Sequence, residues 1–351
     1  MLKNAVEIII TSQTEAAVIA LNEIQKLDQG ARGKRLSAEV QLVTTPGGYN
    51  SIKAELPGTI FIRHVFPVHE TYMLGEMDLS CKLLDLCKHV PVGEAFSVQM
   101  RNSSGKITDT ETMDIIKSIE QNMTSYGYVR DNKNPTWVLS LYIHENLIYA
   151  GVSPCLDNLS NWNGGVHRLK KSEMFVSRAE HKLEEAIASF GINLANTTNA
   201  VTHAIDLGAA PGGWTKILLE YGFHVTAVDP GRLSESIINH PRLVHFRDVA
   251  QKFIGQAGSY DLLVNDMRMD IIESCEIMLD MSSFLSPTGI AIMTLKLPHK
   301  QWYKKVKHAL SLLQNQYEIV NARQLFHNRS EVTLYLKKGS ANTVLLKAND
   351  C

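Results

Sequence analysis

Cysteine is scarce and unpaired in this chain. Cys81, Cys87, Cys155, Cys275 and Cys351 make an odd five, with no Cys-x-x-Cys among them. Such a set serves neither a disulfide framework nor a structural zinc site, so reduced thiols in the cytoplasm are expected. No apolar run reaches the roughly 18 residues that a membrane-spanning helix requires, so no membrane association is expected. Met1-Leu2-Lys3-Asn4 leads straight into an expected strand, without the charged-then-apolar layout of a secretory signal. A strong net charge is also missing, because 35 Lys and Arg against 36 Asp and Glu leave -1. Overall basicity is the usual footprint of a nucleic-acid-binding chain. Here any polyanion must be met by a local cluster of cations. Internal repeats and low-complexity tracts are absent as well.

What is present suits a globular protein. At about 100–200 residues per domain, a chain of 351 residues that is 44% hydrophobic is expected to form more than one α/β domain. Strands are expected at 4–11, 38–44, 59–68 and 95–101. Ser12 and Glu15 have capping-box spacing ahead of an amphipathic stretch to Leu27. A helix is expected at 79–88, and Thr108 with Glu111 opens another that ends near Gly127. Residues 136–144 and 147–152 read as a hairpin around Glu145-Asn146. An Asn-, Gly- and Ser-rich stretch at 153–165 reads as a linker or functional loop. From Ser177, helices and strands alternate, which argues for a mostly parallel sheet with crossover helices. Its strands are expected at 204–207, 224–228, 243–247, 262–265 and 289–295. A last pair, 317–325 and 331–337, is too closely linked for a parallel crossover and makes an antiparallel edge hairpin.

The segment Ala204-Ile-Asp-Leu-Gly-Ala-Ala-Pro-Gly-Gly-Trp214 is an apolar strand, a glycine-rich turn and the start of a helix expected from about Thr215. Glycine lets backbone approach a ligand closely, and this is nucleotide-site geometry at a strand's C-terminal end. Asp206, Gly208, Ala209, Pro211, Gly212, Gly213 and Trp214 are therefore candidate cofactor residues. Asp229 ends the next strand, where an acidic residue accepts from ribose hydroxyls, and Asp248 ends the third, within reach of an adenine edge. The glycine spacing departs from Gly-x-Gly-x-x-Gly, which disfavours a dinucleotide enzyme.

Four polar residues fall where a sheet-top site collects them. Lys182 follows Ser177-Arg-Ala-Glu180, a third capping-box pair. Asp266 and Lys296 end strands, and Glu331 opens the final one. This Lys–Asp–Lys–Glu order around such a glycine loop resembles the FtsJ-like ribose 2′-O-methyltransferases. The segments 177–186, 206–215, 295–298, 322–327 and 331–333 are similar to the RlmM-like group, which methylates cytidine in large-subunit ribosomal RNA. Phe61-Ile-Arg-His64 and Gly164-Gly-Val-His-Arg-Leu169 resemble it more loosely.

The resemblance implies a class I, Rossmann-like methyltransferase domain over 173–340. A ferredoxin-like region (1–75), a THUMP-type RNA-binding domain (76–155) and a linker (156–172) precede it, and a tail (341–351) follows. It implies S-adenosylmethionine as cofactor, S-adenosylhomocysteine as product, no metal, and ribosomal RNA as partner to a monomer or homodimer. Asp266 then also borders the cofactor. In its implied role Lys296 is the general base. It must shed its own proton first, which burial and Lys182 favour and Asp266 opposes. Asp266 orients Lys296, while Lys182 and Glu331 position the sugar.

Competing chemistries lack their residues. Methylation of an exocyclic amine uses an Asn/Asp-Pro-Pro-aromatic loop, and here the segment reads Asn265-Asp-Met-Arg268. Carbon-5 methylation needs a nucleophilic cysteine, and Cys155 lies outside the cofactor domain. A transfer RNA 2′-O-methyltransferase and a non-catalytic ribosome-assembly protein remain the other readings. For RNA contact, His299–His308 carries Lys300, Lys304 and Lys307, which share a face if helical. Trp302 or Tyr303 is available there for stacking. Arg168, Lys170, Lys171 and Arg178 form a second basic stretch.

Overall fold

The computed structural model describes residues 4–168, 176–194 and 202–339. Lys170, Lys171, the first three residues and the expected tail at 341–351 lie outside that set. The chain divides into two compact units, Met1–His167 and Arg168–Cys351.

The first unit holds two sheets. Strands β1 (Glu7–Thr11), β2 (Arg32–Arg35), β3 (Val40–Thr44) and β4 (His64–Val68) form an antiparallel sheet in the order β2-β3-β1-β4. Helix α1 (Ala17–Leu27) buries Ala17, Ala20 and Ile24, and a short α2 (Tyr49–Ile52) precedes β4. The Ser12–Glu15 capping box does not form. The chain stays extended through Gln13, a 3-10 turn spans Thr14–Ala16, and α1 starts from Ala16 with no side-chain cap. Ser12 is thus displaced from the position where its hydroxyl would meet the helix's free N–H groups, and it donates to the Gln13 carbonyl instead.

The second sheet takes the order β5-β9-β8-β6-β7, from β5 (Glu70–Met73), β6 (Ala95–Asn102), β7 (Val129–Arg130), β8 (Trp137–His144) and β9 (Leu147–Pro154). Helices α3 (Leu79–Cys87) and α4 (Asp109–Ser125) supply Leu83 and Met123 to its core with Phe96, Leu139 and Ile143. Here the Thr108–Glu111 capping box is complete. Glu111 N–H donates to Thr108 Oγ1 at 3.1 Å, and Thr108 N–H donates to Glu111 Oε2 at 2.7 Å. Residues 155–165 pack into this unit through two 3-10 turns, with Asn163 donating to the Met100 carbonyl and Thr11 to that of Gly164.

The second unit is one seven-stranded sheet in the order β12-β11-β10-β13-β14-β16-β15. Its strands are β10 (His203–Leu207), β11 (His224–Val228), β12 (Leu243–Phe246), β13 (Tyr260–Asn265), β14 (Leu285–Lys296), β15 (Tyr317–Arg323) and β16 (Glu331–Lys338). The pairs from β12 to β14 are parallel, and β16 runs antiparallel to both its neighbours. This is a Rossmann-like sheet. Its central strands are near-continuous apolar runs, as expected for strands buried on both faces; Leu262, Leu263, Val264, Ile292 and Met293 are all buried.

Helices α5 (Ala179–Ser189) and α6 (Gly213–Glu220) contribute Leu183, Ala186, Trp214 and Leu218 to the main core cluster. Four-residue α7 (Glu235–Ile238) precedes β12. Helices α8 (Ile271–Met281) and α9 (Trp302–Leu313) pack on one another and on β14 and β15. Helix α9 begins at Trp302 because Gln301 is left-handed (φ 63°). Lys300 therefore lies outside the helix and does not share the face of Lys304 and Lys307, which correct the expectation. Those two are exposed opposite buried Val306, Ala309 and Leu313.

Candidate active site

Strand order reverses around β10, between β11 and β13. In open parallel sheets a crevice opens at such a point, beyond the carboxyl ends of the strands. The glycine loop follows β10, Asp266 follows β13 and Lys296 ends β14, so all three meet at that end. Glycine is required where the loops touch. Gly208 has φ 72°, and a Cβ on it would stand 2.4 Å from Met267 Cγ and 3.1 Å from Met267 Cα. The cofactor loop thus abuts the residue after Asp266. Gly212, at φ 112°, has Ile237 Cδ1 at 2.2 Å from its own Cβ position.

The four expected polar residues converge. Lys182 Nζ lies 3.1 Å from Asp266 Oδ2 and 2.8 Å from Glu331 Oε2. Lys296 Nζ lies 2.5 Å from Asp266 Oδ1 and 3.0 Å from Glu331 Oε1. Register explains part of this, because Lys296 and Glu331 are direct partners across β14 and β16. Helix α5 delivers Lys182, and each of the four side chains is 14–16% exposed.

Thr294, which spacing did not single out, joins them. Its hydroxyl donates to Asp266 Oδ1 at 2.6 Å and accepts from Lys296 at 2.8 Å. It points to the same face as Lys296, two residues along the strand. Burial favours the uncharged Asp266, but Lys296 and Lys182 outweigh it and hold the carboxyl below its usual range. Burial likewise works to lower Lys182, and Asp266 and Glu331 outweigh it to raise that ammonium. The cluster is two ion pairs with interlocked hydrogen bonds and no net charge.

A cavity of about 1020 Å³ opens over this cluster. Arg178, Arg268 and Arg329 line it, with His181, Phe326 and His327. Only Arg178 had been singled out from sequence. The Phe326–His327 wall hangs on Glu185 of α5, a buried carboxylate that accepts from both backbone N–H groups at 2.7 Å. Charge-assisted bonds of this kind are the stronger class. One helix therefore carries both Lys182 and the anchor for the Phe326–His327 wall.

The cofactor candidates divide into two groups. Asp229 accepts from Ala210 N–H at 3.0 Å and Gly231 N–H at 2.6 Å, so it shapes the loop's rim. Asp248 accepts from Val249 N–H and pairs with Lys252, which hold its carboxyl low. Ala209, Pro211 and Gly213 belong to the loop and to the first turn of α6. Asp206 and Trp214 turn inward. Asp206 is 1% exposed and accepts from Thr215 Oγ1 at 2.6 Å, while Trp214 donates to the Ala179 carbonyl at 2.7 Å. Both brace the loop from below. Burial pushes the Asp206 carboxyl up to about 7, the Thr215 bond opposes that, and the charges of Asp266 and Asp229 add to it.

Other expected residues lie elsewhere. Arg168, Lys300, Lys304 and Lys307 do not line the cavity. Lys307 covers one face of Tyr303 at 5.6 Å, and the Trp302 indole donates to the Pro298 carbonyl at 2.5 Å. Cys155 sits in the first unit, where burial pushes its thiol up to about 11. That is the opposite of what a nucleophilic cysteine needs. Among the described residues no group of three or more His, Cys, Asp or Glu is placed to hold a metal ion, and no helix is long and apolar enough to cross a membrane.

The FtsJ-like methyltransferase family pattern matches residues 175–324. Relatives that extend beyond that region carry the name ribosomal RNA large subunit methyltransferase M. The protein of that name from Ectopseudomonas mendocina is 30% identical over 282 residues, covering 76% of this chain and 78% of its own. That from Pseudomonas putida is 28% identical over 325 residues, covering 88% and 89%. That from Halorhodospira halophila is 33% identical over 190 residues, and this alignment spans 54% of either chain.

Proposed function

Because this chain belongs to the ribosomal RNA large subunit methyltransferase M family, we propose that it transfers a methyl group to a ribose 2′-hydroxyl of large-subunit ribosomal RNA, at a cytidine. The observation that carries this reading is the convergence of Lys182, Asp266, Lys296 and Glu331 beneath one cavity, beside the glycine loop.

S-adenosylmethionine, when bound, supplies an electrophilic methyl on a sulfonium and leaves as S-adenosylhomocysteine. The residues present fit it. The loop from Gly208 to Gly213 offers backbone close to a ligand, Asp229 and Asp248 stand at neighbouring strand ends, and Asp206 with Trp214 keep the loop in place.

A ribose hydroxyl becomes a competent nucleophile as its proton leaves. Lys296 in its neutral form presents a lone pair for that proton. Asp266, Glu331 and Thr294 accept from Nζ and hold it in place; one of these contacts gives way as the lone pair turns to the hydroxyl. Asp266 and Thr294 aim Nζ, and Lys182 with Glu331 flank the sugar. Positioning matters because in-line attack needs oxygen and carbon held at about 3–3.5 Å. No lysine acts alone here: each is held by the same two carboxylates.

In this reading the five-stranded sheet of the first unit, with α3 and α4, is the THUMP-type RNA-binding region that brings the target near. Its mixed α/β make-up supports that assignment.

The test is methyl transfer to protein-free large-subunit ribosomal RNA, read as modified nucleosides by mass spectrometry. Wild type makes a 2′-O-methylnucleoside. Lys296→Ala lowers turnover by about 10³-fold, within the range for loss of a general base, and still binds S-adenosylhomocysteine. A methylated base as product, or a Lys296→Ala enzyme that turns over normally, rejects the assignment.

A further inference from the structure

Charge bookkeeping inside the cavity leaves a surplus. The two lysines and two carboxylates of the catalytic cluster cancel. Three further formally charged side chains line the cavity, and all are arginines: Arg178, Arg268 and Arg329. Each is exposed, and none has a side-chain hydrogen bond or ion pair among the described residues. In a chain whose net charge is -1, this surplus is local and sits at the mouth of the site.

Placement follows a pattern. Arg178 precedes Lys182 by four residues, Arg268 follows Asp266 by two, and Arg329 precedes Glu331 by two. Three separate segments, entering α5, leaving β13 and entering β16, thus each bring one member of the cluster and one arginine to the same cavity. Guanidinium groups are planar forks matched to phosphate oxygens, whereas structural arginines are normally committed to a protein partner.

The substrate's own chemistry calls for such a device, given the ribose reading above. A 2′-hydroxyl is joined through C2′ and C3′ to the 3′-phosphodiester, so delivering that oxygen to Lys296 brings a phosphate within a few bonds. An unstacked or single-stranded nucleotide brings its ribose into a cavity more readily than one held in a helix, whose 2′-hydroxyls line a wide, shallow minor groove. At about 1020 Å³ the cavity is at the upper end of ligand-site volumes, which leaves room for a nucleotide.

We infer that Arg178, Arg268 and Arg329 clamp the phosphodiesters flanking an extruded or single-stranded target nucleotide. The clamp holds the backbone, and the cluster beneath it then receives the ribose. It supplies the local positive charge that the composition of the chain as a whole lacks.

The salt dependence of binding tests this. Full-length wild type, Arg268→Gln and Arg329→Gln are compared for affinity to protein-free large-subunit ribosomal RNA across a series of KCl concentrations. Each phosphate contact in a single strand contributes about 0.7 to the slope of log affinity against log salt. Each substitution is therefore expected to flatten the slope by about 0.7, with S-adenosylhomocysteine affinity unchanged. An unchanged slope overturns the clamp. If a glutamine variant fails to fold, Arg268→Lys and Arg329→Lys replace it. These keep the charge and the slope but lose the fork, so RNA affinity falls; equal affinity again overturns the clamp. The ribose reading fails separately: a wild type that methylates a base but retains the arginine-dependent slope refutes the reaction and leaves the clamp in place.

Discussion

Asp206 and Asp266 stand at the carboxyl ends of neighbouring strands, β10 and β13, and meet opposite fates. Asp206 is walled in with one hydroxyl and no cation, and its carboxyl is pushed up to about 7. Asp266 is nearly as enclosed but faces two ammonium groups and is held below the usual range. Partners, more than depth, set the charge of a carboxylate. In this sheet the aspartate whose carboxyl is pushed up braces the cofactor loop, and the one held low organises the lysines.

The largest effect is expected from removing the charged member. Asp266→Asn leaves Lys182 and Lys296 facing one another with a single carboxylate. Single-turnover methyl transfer should fall by about 10²-fold. Breaking a buried pair on one side should also cost on the order of 3 kcal/mol, read by denaturant unfolding. A rate near wild type would show that Asp266 does not orient the base.

Next in size is the pH dependence of stability. Folding raises Asp206 from 3.8 to about 7, so across that window the native carboxyl keeps a proton that the unfolded chain has released. Stability therefore falls as pH rises from about 4 to about 7. Asp266 acts the other way, because its depressed value adds stability at higher pH that is lost as pH drops below about 4. Asp206→Asn should flatten the decline between pH 4 and pH 8, by on the order of 3 kcal/mol. Urea unfolding at several pH values measures it, and parallel curves for variant and wild type would contradict the assigned protonation.

Thr215→Val should have the smallest effect. It deletes the one hydroxyl that favours the charged Asp206 and is expected to cost about 1 kcal/mol at pH 8. At pH 5, where the carboxyl is already neutral, the cost should shrink. The same unfolding series reads it, and a penalty independent of pH would mean that Thr215 matters only through packing.

Much of this arrangement is visible in the linear chain because the physics is local. Apolar runs separated by glycine and helix signals mark β10, β11, β13 and β14, and the antiparallel final pair follows from a gap too short to cross over. Lys182, Asp266, Lys296 and Glu331 sit at element ends, where spacing reads well. Elements whose sequence carries no apolar pattern are harder. Arg32-Gly33-Lys34-Arg35 is an exposed edge strand, so nothing in it alternates. Capping-box spacing occurs at Ser12 and at Thr108, but only the second lies where the chain turns into a helix. Glu185 acquires its place from Phe326 and His327, more than 50 positions away, and the cavity that Arg268 and Arg329 line is assembled from segments equally remote. Contacts of that range are made by topology, and a motif window does not contain them.

The insertion of β16 between β14 and β15 bears on biosynthesis. A ribosome completes Lys182, Asp266 and Lys296 before it reaches Glu331. Until residues 331–338 emerge, β14 has no antiparallel neighbour and β15 has no strand to pair with. The two lysines meanwhile share one carboxylate. Synthesis runs at about 5–20 residues per second, so this interval lasts seconds, during which an open strand edge is exposed. The strand that completes the catalytic set is thus the same one that closes the sheet.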